Sequence, residues 1–137
     1  MIVADTGAVV ALIDGGDRHH RALRKAFEAD PDAWILPWAI LPEVDHIVAS
    51  HLGQEVARAF RADLASGAYA VEWGGAADLA RAVELDSRYA DLGLGLVDAV
   101  VMAMAERLGV EAIATLDLRD FAAVELAGTP QLWPRDL

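Results

Sequence analysis

An apolar triplet, Ile2 to Ala4, opens the chain as a short buried strand would, and Asp5-Thr6-Gly7 leads from it straight into an apolar helix through Ile13. After the Gly15-Gly16 turn, Asp17 is placed to cap a helix through Ala29, with Leu23 and Phe27 four apart, and Asp30-Pro31-Asp32 ends it. Trp34 to Leu36 reads as a second strand. From Pro37 the positions Leu41, Val44, Ile47 and Val48 mark an amphipathic helix to about Leu52, which Pro42 either bends or starts. A further helix after Gly53 carries Val56, Phe60 and Leu64, and Tyr69, Val71 and Trp73 alternate as a third strand would. Gly74-Gly75 closes that strand before a helix through Leu79 and Val83. Asp91 to Val97 is a glycine-containing joint, a helix follows from about Val97 to Leu108, Gly109 stops it, and Ala112 to Thr115 forms an apolar strand. Such alternation, without repeats or linkers, predicts an α/β fold. Residues 1–137 form one domain in this reading, with a mostly parallel central sheet covered by helices on both faces.

Composition narrows the chemistry. Over 137 residues, 55% apolar content with 24% charged argues against disorder. The absence of cysteine excludes a disulfide scaffold, thiolate metal sites and thiol nucleophiles, and fits a reducing cytosol. No apolar stretch approaches the ~20 residues of a membrane helix, so a cytoplasmic protein without a membrane partner is expected. The formal charge of −11 repels polyanions, so any contact with nucleic acid has to run through local basic patches, bound cations or a partner. Ten of the eleven basic residues are arginine, and Lys25 is the only lysine.

The acids, by contrast, fall where parallel sheets place their ligands, beyond the carboxyl ends of strands. Asp5 follows the first strand and Asp117 the Ala112 to Thr115 strand. The helix from Asp98 travels roughly 16 Å away and the strand returns roughly 18 Å, so Asp98 and Asp117 end up level. Glu43, early in the helix after the second strand, belongs to the same rim. Singly, each acid has an ordinary role as a cap, a first-turn acid or a turn former. Together they do not. Like charges 4 Å apart repel by about 4 kcal/mol at an effective dielectric near 20, so a converging quartet must bind cations or hold protons. An all-oxygen cluster suits magnesium or manganese.

These segments resemble a known family. Val3-Ala4-Asp5-Thr6-Gly7-Ala8, Leu41-Pro42-Glu43-Val44, Leu96-Val97-Asp98-Ala99 and Ala114-Thr115-Leu116-Asp117 look like the four acidic motifs of PIN-domain ribonucleases. Size and order match the VapC toxins of type II VapBC toxin–antitoxin pairs, and the likeness extends to Tyr89-Ala90-Asp91 and to Asp117-Leu118-Arg119-Asp120-Phe121. The resemblance implies a PIN-like fold and an endoribonuclease dependent on Mg2+ or Mn2+, with Asp5, Glu43, Asp98 and Asp117 as catalytic metal ligands. Asp5 and Asp98 would contact the ion directly, and Glu43 and Asp117 would complete the site through waters or a second ion. Thr6 or Thr115 would orient ligands or the scissile phosphate, with Asp91 in support. Metal-assisted hydrolysis needs no side-chain nucleophile and leaves 5′-phosphate and 3′-hydroxyl ends. The resemblance further implies structured RNA (tRNA or rRNA) as substrate, a VapB-type antitoxin as partner, and a homodimer. A catalytically silent PIN-like module that binds a partner or metal is the alternative, and the complete quartet argues against it.

Other constellations carry less. His19 and His20 diverge on a helix, and His46 and His51 meet poorly, so a metal-free pair of imidazoles has no support. Arg18, Arg21 and Lys25 recur as a helical stripe able to meet RNA phosphates, and Arg119 sits two residues beyond Asp117; these four are the candidate RNA contacts. Gly93-Leu94-Gly95 lacks the third glycine and preceding strand of a dinucleotide loop. The three serines occupy no nucleophile elbow. A phosphate-accepting receiver domain would need a lysine after a late strand, whereas Lys25 lies in an early helix. The four tryptophans read as core or interface, with base stacking open to any that is exposed.

Overall fold

The computed structural model describes residues 1–137. Five strands, β1 (Ile2–Ala4), β2 (Trp34–Pro37), β3 (Ala70–Glu72), β4 (Ala112–Ala114) and β5 (Gln131–Trp133), form one sheet in the order β3-β2-β1-β4-β5. Every pairing is parallel. The sheet is therefore wholly parallel. Both central strands beside the switch, β1 and β4, are buried at all positions, which is why each reads as a solid apolar triplet without alternation.

Seven helices connect the strands: α1 (Thr6–Ile13), α2 (His20–Ala29), α3 (Leu41–Leu52), α4 (Gln54–Ser66), α5 (Ala76–Arg88), α6 (Gly95–Leu108) and α7 (Leu118–Ala123). Right-handed crossovers assign α1 to α4 to one face and α5 to α7 to the other. The main helix contacts divide the same way, α1 against α2 and α3, α3 against α4, and α5 against α6. A continuous apolar core fills both layers, with Trp34, Leu36, Ile113, Val3, Val44 and Met102 among its fully buried side chains. None of the helices is long and apolar enough to cross a membrane.

Several sequence expectations shift. Asp17 does not cap α2: its Oδ1 accepts the His19 N–H at 2.7 Å in a turn, and the helix begins only at His20. Arg18 consequently leaves the helical stripe, and Arg21 and Lys25 remain on it. Pro42 sits in the first turn of α3, where its missing N–H costs nothing, so it starts that helix and does not bend it. Helix α7, six residues long, and strand β5, three residues long, carry too little periodicity to show in the sequence.

A buried carboxylate ties the α5–α6 pair to the sheet. Asp78, 4% exposed, accepts from Arg107 Nε at 2.7 Å and Nη2 at 3.0 Å and from the Gly75 N–H at 3.2 Å, while Arg107 also reaches Glu72 on β3. Gly74 makes this approach possible, since its φ of +71° is left-handed and a Cβ there would collide with the Met104 methyl. Arg107→Ala is expected to lower stability by about 2 kcal/mol in chemical denaturation, less than for a fully enclosed pair because Arg107 is itself half in water.

Candidate active site

The chain runs from β1 to β2 and β3 on one side, then returns to β4 and β5 on the other, so the sheet's switch point lies between β1 and β4. Register there is fixed by Ile2 facing Ala112 and Ala4 facing Ala114, which sets the carboxyl ends of the two strands level. Asp5 and Thr115 are the next residues on each. The Asp5 N–H donates to Ala114 O at 2.8 Å, extending the ladder one step and holding the Asp5 backbone at the crevice.

Asp5 is 5% exposed and stands at the start of α1, yet its carboxylate makes no capping hydrogen bond. Its Oδ2 accepts from the Thr115 hydroxyl at 3.1 Å, and its Oδ1 is buried without a partner. The buried Thr6 hydroxyl is likewise unpartnered. Burial raises the Asp5 carboxyl to a pKa of about 6, against the pull of the Thr6 amide and the Thr115 hydroxyl, and the charges of Glu43 and Asp117 add to the rise.

Asp98, in the first turn of α6, is half-buried. Its pKa is pushed up to about 7, first by burial and then by the charges of Asp5, Asp117, Asp120 and Glu43. Asp117 caps α7, its Oδ1 accepting the Asp120 N–H at 3.3 Å, while its own N–H donates to Thr115 Oγ1 at 3.1 Å. Carboxylate oxygens of Asp98, Asp117 and Asp120 all lie within 4.8 Å of one another. At such a spacing each ionised pair repels by roughly 3 kcal/mol.

Asp120 is the acid that sequence reading missed. One helical turn beyond Asp117, it points the same way, and its Oδ1 is buried and unpartnered. The three-residue spacing of Asp117 and Asp120 is the signal that could have revealed it. Glu43 is exposed in the first turn of α3, and its charge acts on both Asp5 and Asp98. Five acids thus share one electrostatic neighbourhood, the tight trio being Asp98, Asp117 and Asp120. Oxygen-only donors with orphaned buried atoms on Asp5, Asp120 and Thr6 fit a hard divalent cation.

The remaining candidates scatter. Asp91 is exposed in a short 3-10 turn, Ala90–Leu92, and is not among the charges acting on Asp5 or Asp98. Arg119 is exposed on α7 between Asp117 and Asp120. Arg18, Arg21, Lys25 and Arg119 form no ion pair, but Arg18 borders a different cavity from that beside Arg21 and Lys25. The histidines stay apart: the His20 Nδ1–H donates to Ala11 O at 2.7 Å, docking α2 on α1, and His51 bonds within its own helix. Trp34 is buried, whereas Trp38 and Trp73 are exposed and stack on each other at 4.6 Å.

Thr115 links the two sides of the crevice by donating to Asp5 and accepting from the Asp117 N–H. Thr115→Val is expected to cost about 1–2 kcal/mol in thermal or chemical unfolding, since it strands the buried Asp5 Oδ2 and the part-buried Asp117 N–H.

A wholly parallel α/β sheet with carboxylates gathered at its switch point places this chain among α/β proteins that carry an acidic site beyond their strand ends. The chain belongs to the PIN-domain family, in its VapC group: the PIN domain model matches residues 2–126. It is 30% identical over 127 residues to Ribonuclease VapC26 of Mycobacterium tuberculosis, covering 93% of this chain and 94% of that one. Its fold is similar to that of Mycobacterium tuberculosis VapC20, a sarcin–ricin loop cleaving toxin, with a TM-score of 0.80 at 24% identity over 95% of this chain and 99% of the other. It is also similar to the DNA-bound VapBC of Salmonella typhimurium, with a TM-score of 0.72 at 18% identity over 96% and 95% of the two chains.

Proposed function

We propose that this protein is a divalent-metal-dependent endoribonuclease and the toxin of a type II toxin–antitoxin pair. The observation that carries this reading is the convergence of Asp5, Glu43, Asp98, Asp117 and Asp120 at the β1–β4 switch point, with buried carboxylate oxygens left unpartnered. A relative named as a ribonuclease supports the same reading.

In this account Asp5, Asp98, Asp117 and Asp120 hold Mg2+ or Mn2+, and Glu43 completes the site from its exposed side. The bound ion supplies Lewis acidity for activating water and offsets charge on the phosphate. Thr115 keeps Asp5 and Asp117 in register by its two hydrogen bonds, and the exposed edge at Glu43 leaves the crevice open to a polymeric substrate. Asp5 Oδ1, buried without a hydrogen-bond partner, is an acceptor left over by the protein itself, which supports its use as a ligand atom. The substrate class is structured RNA, tRNA or rRNA, cut where bases can be splayed from the chain. A VapB-type antitoxin is the proposed inhibitor, the proposed assembly is a homodimer, and the cytoplasm is the compartment that role requires.

Incubation of antitoxin-free protein with RNA and manganese, followed by end mapping, tests this. Cleavage that EDTA abolishes and that leaves 5′-phosphate and 3′-hydroxyl ends is expected. Metal-independent cleavage, or ends bearing a 2′,3′-cyclic phosphate, would remove the mechanism; intact RNA would remove the activity.

A further inference from the structure

Immediately beside the acids lies a cavity of about 380 Å³, within the ~300–1,000 Å³ range of small-molecule sites. Thr115, Leu116 and Leu118, the sequence neighbours of Asp117, line it together with Arg18, Pro134 and Arg135. Its lining includes no acid, although the chain has 22 acidic residues and five of them gather next door. The two arginines differ. Arg135 is matched by Asp136 through bonds of 2.7 and 2.8 Å, so its charge is balanced and its planar guanidinium remains as a wall. Arg18 has no carboxylate partner and only donates from Nε to His19 Nε2 at 3.1 Å. Leu118 is part-exposed, so its apolar side chain is open to the cavity.

Resting on the ribonuclease reading, we propose that this cavity is a nucleobase pocket, seating the unpaired base that adjoins the scissile phosphate, with Arg18 as its cationic edge. Apolar walls and flat guanidinium faces suit the two faces of a splayed base, and an unmatched arginine suits its phosphate or its acceptor edge. Charge complementarity selects the occupant. On a chain whose charge of −11 repels polyanions, an acid-free lining with one unmatched arginine is a local point at which a strand's phosphate can be met. The pocket makes Arg18, Leu116 and Leu118 specificity residues, distinct from the acids that hold the ion.

The test compares wild type with Arg18→Ala, which removes the cationic edge, and Ala22→Trp, which fills the cavity from the exposed face of α2. Each acts on a random-sequence RNA library with manganese, and the ends are sequenced. Wild type is expected to favour one base at a position next to the cut, and both variants to flatten that preference about tenfold while still cutting. An unchanged profile in both variants overturns the proposal. So does a loss confined to antitoxin binding, which would give the pocket to the protein partner. Should wild type cut no RNA, the ribonuclease reading falls by itself, and a second measurement decides the pocket. Short oligoribonucleotides titrated in EDTA are expected to move the amide resonances of Ala22, Leu116 and Leu118; their stillness overturns it.

Discussion

Asp98→Asn is expected to reduce RNA cleavage by about a thousandfold or more while leaving a folded protein at least as stable as the original. The loss follows because several kcal/mol of metal-derived transition-state stabilisation depend on a site that this change strips of a central charge, and about 4 kcal/mol is a thousandfold. The stability follows because Asp98 faces Asp5, Asp117, Asp120 and Glu43, all of its own sign. An uncharged amide of the same shape removes that repulsion. A cleavage time course and a thermal melt in EDTA on the same preparation read both halves. A variant that loses activity together with its fold would point to a structural role for Asp98.

Metal-free protein is expected to lose stability as pH rises through the region where these acids ionise. Asp5 and Asp98 have folded pKa values of about 6 and about 7, both above the ordinary 3.8. Each binds its proton more tightly folded than unfolded, so the contribution to stability is complete below pH ~4 and is lost as pH rises to about 7. For buried Asp5 the difference amounts to about 3 kcal/mol; for half-exposed Asp98 solvent screening cuts the corresponding figure. In EDTA the melting temperature should fall by roughly 5 °C or more between pH 5.5 and pH 8. Manganese should restore it at pH 8 and do little at pH 5.5, where protons compete for the same oxygens. A melting temperature that is flat or rising in EDTA over this window would mean that the acids do not oppose one another.

Much of this arrangement was legible in the sequence because the central strands are short, apolar and followed directly by acids. Ile2–Ala4 and Ala112–Ala114 stand out as buried triplets, and strand-end logic places Asp5 and Asp117 on one rim, where the β1–β4 register sets Asp5 level with Thr115, two residues before Asp117. Asp98 follows from the lengths of the helix and strand that separate it from Asp117, and Glu43 from its place early in the helix after β2; each stands in the first turn of its helix. Asp120 was missed, because α7 is only six residues long and carries too little periodicity to be recognised, so its turn looked like a loop. β5 was hidden for a related reason: three residues between two prolines, Pro130 and Pro134, give no alternation to read. Arg18 was assigned to a helical face because Asp17 resembles a helix cap, but its side chain bonds a turn amide two residues on, which only tertiary placement of α2 decides. The cavity between Arg18 and Pro134 joins segments more than a hundred residues apart and left no trace in either.

Isothermal titration of manganese into metal-free protein at pH 8, repeated with Asp98→Asn, measures the central claim directly. Saturable uptake in the wild type, accompanied by proton release when the titration is repeated near pH 6.5, and weakened at least about tenfold by the substitution, is the predicted result. No uptake, or equal uptake by both proteins, would contradict it.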